Sequence, residues 1–151
     1  MSESNTTLPN LEFLIDVERE EEGAWFSSKD LPTAPEVPGL LRVKVCSQFT
    51  ETYQKDVRKI QTKAVRMSQS KRMEWVAEEI RKLAPKHLVM DWEMVDGDGN
   101  KVPFGAALCK RLYLGPEGKP NPARRFVQFV DEAVSALQGD LEDVLEEDEG
   151  N

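Results

Sequence analysis

The residues whose types and spacing come closest to a reactive or ligating pattern lie in Leu88-Val-Met-Asp-Trp-Glu-Met-Val-Asp-Gly-Asp-Gly-Asn-Lys-Val-Pro-Phe104. Asp96-Gly97-Asp98-Gly99-Asn100 opens like a calcium loop, which places oxygen ligands at alternate positions. The remainder departs from that pattern. The sixth position needs Gly for its sharp turn and is Lys101; the twelfth needs a bidentate Glu and is Ala107. The segment therefore reads as a tight turn, with no calcium expected. Gly and Asn accept positive φ there, and Asp side chains capture nearby N–H groups. On this reading Asp91 and Trp92 sit at a helix end, where the large apolar surface of Trp92 packs between neighbouring helices.

Elsewhere the sequence offers little chemistry. His87 is the single histidine, and Cys46 and Cys109 are too scattered to complete a zinc set with it. The two thiols read as ordinary buried cysteines of a reducing compartment. No Gly-rich phosphate loop and no Gly-x-Ser-x-Gly element occurs. Asp91 and Glu93 flank Trp92 and would point to different faces of a helix, so they form no dyad. No catalytic residue, cofactor site or metal site is expected, and the chain reads as a non-enzyme.

Composition narrows the class. A chain of 151 residues is one domain, with room for a tail. It is 39% hydrophobic and 32% charged, which permits a modest core under a heavily charged surface. No apolar run approaches the ~20 residues of a membrane span. The initial Met-Ser-Glu-Ser-Asn lacks the basic and apolar regions of a signal peptide. The net charge of −8 is unevenly distributed: Gly139–Asn151 holds seven acids and no base, whereas Lys55–Lys86 holds ten Lys or Arg against four acids. That basic stretch lacks the interleaved aromatics of a nucleic-acid surface and is read as a solvated helix face, so nucleic acid is not an expected partner.

The elements that must position these residues follow from periodicity. Residues 1–10 are polar and read as disordered. Leu11–Val17 and Ala24-Trp25-Phe26 read as a hairpin across Glu20-Glu21-Glu22-Gly23, and Leu40–Cys46, which alternates apolar and basic residues, as the clearest strand. Between them Pro32, Pro35 and Pro38 imply an extended connector. Phe49, Tyr53, Val57, Ile60, Ala64 and Met67 form one helical stripe; Met73, Val76, Ala77, Ile80, Leu83 and Ala84 form a second. Pro85 ends or kinks that helix, with Lys86–Val95 continuing it. Phe104, Leu108 and Leu112 mark a short helix bounded by Gly115-Pro116. Asn121 caps a last helix with Pro122 at its first position, Phe126, Phe129, Val130, Ala133, Val134 and Leu137 make its stripe, and Gly139 stops it. Core packing is the expected use of each stripe, a partner groove the alternative.

The expected fold class is therefore α+β. A small antiparallel sheet at 11–47 precedes four to five helices at 49–138, with an acidic disordered tail at 139–151. Leu141, Val144 and Leu145 share a helical spacing within that tail and are its candidate partner-binding residues. A segment so short and acidic is marginal as an isolated helix, so a solubilising role is expected ahead of docking.

Several of these segments together resemble the tail assembly chaperones of long-tailed, siphovirus-type bacteriophages. The likeness spans roughly 11–137. It rests on Glu20-Glu21-Glu22-Gly23-Ala24-Trp25; on Arg42-Val-Lys-Val45 leading to Tyr53; on Leu88-Val89-Met90-Asp91-Trp92; on Asp96-Gly-Asp-Gly-Asn-Lys-Val-Pro103-Phe104; and on Phe126 and Phe129 near the start of the last helix. Two departures are visible. Gly105-Ala106-Ala107 stands where the family usually has a Ser or Thr cap and a second Pro, and Leu31–Pro38 resembles a longer proline-rich insertion. The motifs are structural, so the resemblance implies anchors (Trp25, Tyr53, Asp91, Trp92, Pro103, Phe104, Phe126, Phe129), not catalysts. It further implies binding to a tape measure protein, which is kept soluble while tail tube subunits are recruited, in the cytoplasm of the bacterial host. The alternatives are a structural or adaptor protein of the virion and an acidic nucleic-acid mimic.

Overall fold

The computed structural model describes residues 22–150, with side chains to Gly139. Its element order is β1 (Ala24–Ser27), β2 (Leu40–Val45), α1 (Glu51–Ala64), α2 (Gln69–Arg81), a π-helical turn (Ala84–Leu88), β3 (Val89–Met94), α3 (Ala106–Leu114) and α4 (Arg124–Gly150). The class is α+β: among the described residues, a three-stranded antiparallel sheet of order β1-β2-β3 stands with the four α-helices just named. Leu11–Val17, expected to form a hairpin with Ala24–Phe26, and residues 1–10, expected to be disordered, lie outside the described residues. Within them β1 pairs with β2, Trp25 opposite Lys44 and Phe26 opposite Val43.

One expectation is overturned. The stretch after Pro85 is not a continuing helix; it turns once through the π-helical segment and then pairs as β3 along the free edge of β2. The physical reason lies in the register. Val43 faces Trp92, Lys44 faces Asp91, and Val45 faces Val89, so the ladder shifts between Lys44 and Val45 and Met90 is the extra residue. A bulge of this kind puts Val89 and Trp92 on one face although they are three apart. Three-residue spacing is also what a helix face shows, and the sequence alone cannot separate the two. The sheet therefore draws its third strand from within the stretch expected to be helical.

The last helix is also longer than its stop signal implied. Its bounds run past Gly139, which does not adopt the positive φ of a C-cap glycine. Among the described residues, a positive-φ glycine stands instead at Gly115, the C-cap of α3, at φ +70°. A Cβ there would stand 2.6 Å from the Asn121 side chain. Asn121 caps both neighbours: its amide donates to the carbonyls of Leu112 and Tyr113, and its Oδ1 accepts from the Ala123 amide. The first residue of α4 is Arg124, so Asn121 and Pro122 stand just ahead of the helix. The disorder expected of 139–151 and the role of Leu141, Val144 and Leu145 fall on residues whose side chains lie outside the description.

The core forms between the inner sheet face and α4. Val43, Val45, Trp92 and Val89 meet Phe126, Phe129, Val130, Ala133, Val134 and Leu137, all buried, with Cys109 and Tyr113 of α3 closing one side. The α4 stripe is the expected one. The α2 stripe is not: no residue of α2 is buried, and Met73 is 82% exposed. Only Leu83 and Ala84, beyond the helix, reach the core.

Candidate functional site

Trp92 is the centre of the sequence-flagged segment, and β3 positions it. Its ring meets Phe104 edge-on at 4.8 Å and Phe126 edge-on at 5.9 Å between centroids, the geometry favoured by aromatic quadrupoles. Its indole Nε1–H donates to the Val102 carbonyl at 2.8 Å, so its one polar atom is satisfied inside the core. Phe126 belongs to α4, while Val102 and Phe104 follow a turn that folds back on β3: Val95 bridges Lys101, and the Val102 amide donates to Met94 O. The tip is the turn expected from its glycines. Asp96 Oδ1 accepts from the amides of Asp98 and Asn100, and Gly99 sits at φ +82°. That carboxylate oxygen is thus spent on backbone donors.

The remaining sequence-flagged residues scatter over different surroundings. Phe126 and Phe129 are core; Tyr53 is buried on α1; Phe104 is half-buried. Asp91 is half-buried and accepts from the Trp92 amide, while Pro103 is exposed. Trp25 belongs to the outer sheet face, where the Arg42 guanidinium lies 4.1 Å from its ring centroid and also donates to Glu93 at 2.6 Å. Asp91, Trp92, Pro103 and Phe104 line one open concavity, whereas Trp25, Tyr53, Phe126 and Phe129 do not reach it.

The buried nucleophiles are held inert. Burial raises the Cys46 thiol, whose S–H donates to the His87 carbonyl and not to the imidazole. Burial pushes Cys109 up to about 12, so almost no thiolate exists at neutral pH. Tyr113 is raised further by burial and by its 2.6 Å hydrogen bond to Asp131.

Sequence reading missed one polar cluster. Asp56 of α1 accepts from His87 Nε2 at 2.7 Å and from Lys86 Nζ at 3.2 Å, and the Tyr53 ring stands edge-on to His87. These hydrogen bonds, that from His87 foremost, hold the Asp56 carboxyl below its ordinary range. The cluster ties α1 to the π-helical turn. Its residues are 30 and 31 apart in sequence, and no local pattern announces such a pairing.

What the surface does offer is the α1–α2 hairpin. α1 buries only Tyr53 and Ala64, and α2 buries nothing. Val65 is 70% exposed and Met73 82%, on either side of the turn between the helices. Val57, Ile60, Met67, Val76 and Ile80 are only partly covered. Arg72 fixes the turn by donating to the carbonyls of Val65 and Met67. From Lys55 to Arg72 there are seven Lys or Arg against the single acid Asp56. The arm is thus cationic, apolar along one stripe and little anchored to the body. Such a surface can lie along another helix. Among the described residues no helix is long and apolar enough to cross a membrane, and no group of three or more His, Cys, Asp or Glu could hold a metal.

Compared with known protein families, curated proteins and solved structures, the chain matches none.

Proposed function

We propose that the chain is a non-enzymatic, protein-binding assembly chaperone of the long-tailed bacteriophage type. It holds a tape measure protein in soluble form and helps to bring tail tube subunits to it, in the cytoplasm of the bacterial host. The observation that carries this reading is the α1–α2 arm. A helical hairpin that leaves Val65 and Met73 in solvent and buries none of α2 is poorly explained as a contribution to its own core. The same stripe suits helix-to-helix docking, in which Met adapts its shape to the partner. A tape measure protein, long and helical with apolar stretches, supplies the matching surface. The family resemblance in the motifs around Trp25, Trp92 and Phe104 supports the choice of partner. The buried, protonated thiols support the non-enzymatic class, and the one titratable cluster described, Asp56 with His87 and Lys86, is read as a tie between α1 and the π-helical turn.

Co-expression tests the reading. The chain should raise the soluble yield of the tape measure protein and elute with it as a complex on size exclusion. Replacing Val65 and Met73 with Asp should remove both effects while leaving the chain's own melt in place. No gain in solubility and no complex with the intact chain would overturn it, as would presence of the chain as a stoichiometric part of purified mature particles.

A further inference from the structure

A second surface differs from the arm in kind. A groove of about 440 Å³ lies between the end of α2, the π-helical turn and the first turn of α3. Leu83, Pro85, Ala106 and Ala107 line it, Lys82, Lys86 and Lys110 rim it, and its lining includes no carboxylate. The concavities around it are different. Glu51 lines the one at Cys46, Asp91 and Glu93 line the one at Trp92, and Glu78 and Glu117 line the one at Gly115. Lys82 and Lys86 already touch Glu79 and Asp56, but their side chains are 51% and 66% exposed. Ion pairs so exposed are weak and screened by salt, so both ammoniums remain available to further carboxylates.

The chain itself contains the complement. Gly139–Asn151 carries seven acids and no base, with Leu141, Val144 and Leu145 at helical i, i+3, i+4 spacing among them. We infer that the groove receives the acidic C-terminal segment of a second copy of the chain. The three apolar residues meet the Leu83–Pro85–Ala106–Ala107 floor, and the flanking acids meet the three lysines. The second copy is favoured over the same molecule because α4 runs as one helix from Arg124 to Gly150, without a break at Gly139. Folding back would require opening that helix. Each copy then offers one groove and one acidic segment. Reciprocal exchange about a two-fold axis closes as a dimer, whereas a one-way contact builds rings or open chains.

Sedimentation of the full-length chain over a range of concentrations tests this directly. The mean mass should rise above that of a monomer with concentration and fall as salt is raised. Lys82→Glu with Lys110→Glu should weaken association at least tenfold, and Glu142→Lys with Glu146→Lys should do the same. All four changes in one chain should restore it, because the charges are then complementary again. The neutral pair Lys82→Gln with Lys110→Gln, checked by an unchanged melt, guards against a folding defect in the reversal. A monomer at every concentration would overturn the inference. So would self-association indifferent to the groove changes, or a four-fold variant that stays dissociated although folded. None of these outcomes depends on a tape measure protein, so they separate from the test of the chaperone reading.

Discussion

The sheet–α4 half and the α1–α2 arm are built from similar amphipathic patterns and end in opposite conditions. On α4, residues at i, i+3, i+4 and i+7 are buried one after another, from Phe126 through Leu137. On α2, Met73, Val76, Ala77 and Ile80 have the same spacing, and none is buried. The difference is what stands opposite. α4 lies over Val43, Val45 and Trp92 of a sheet whose inner face is continuous across β1, β2 and β3. α2 has chiefly α1 as its neighbour and contacts the body weakly. A stripe is thus a capacity for burial, and the fold uses it in one half while leaving it open in the other. Stability concentrates where apolar area is removed from water, so the arm carries little of it.

The sharpest test of that contrast is Trp92→Ala. Loss of the indole leaves a cavity between Phe104 and Phe126 and orphans the Val102 carbonyl, so the expected cost is about 3–5 kcal/mol. A thermal melt displaced by only a degree or two would contradict the placement of the stability in this half. A smaller effect is expected where α3 meets α4. Tyr113→Phe removes the hydrogen bond to Asp131 but keeps the ring, and should cost about 0.5–1.5 kcal/mol by urea unfolding. Equality with Trp92→Ala would mean that the polar contact, not the aromatic packing, dominates.

The junction between the halves should show itself in acid. Because His87 and Lys86 depress the Asp56 carboxyl, its contribution is present above the ordinary carboxylate range and is lost as pH falls through the lowered folded value. Asp56→Asn should therefore narrow the stability difference between neutral and acid pH relative to the parent chain. Identical pH profiles for the two proteins would show that the cluster contributes nothing to tying α1 to the body. The smallest effect is expected on the arm. Val65→Ser with Met73→Ser should change stability by no more than about 0.5 kcal/mol, as for surface substitutions generally. A loss of several kcal/mol would mean that the arm's stripe is core after all, and the comparison between the halves would fail.

Much of this was legible in single residues. Gly115 marks the end of α3, and the basic–apolar alternation of Leu40–Cys46 contains β2, whereas α2 ends at Arg81 and Pro85 falls within the π-helical turn that follows. The turn at Asp96–Asn100 follows from its glycines and from an Asp that caps its own backbone. The pairing of Asp56 with His87, and of Arg42 with Trp25 and Glu93, was not legible, because side chains distant in sequence meet only once the elements are docked. Nor did any sequence signal distinguish the buried stripe of α4 from the open one of α2.

By itself the sequence determined the local terms: which residues break helices, which alternate as a strand, which faces are apolar, and where charge accumulates. These depend on backbone sterics and on spacing within one segment. Only the tertiary structure decided that Val89–Met94 is a strand. Val89 and Trp92, three residues apart, satisfy a helix face and a bulged strand equally well. The choice between them was made by the free edge of β2, which offered backbone hydrogen bonds and an apolar face to whichever segment could reach it.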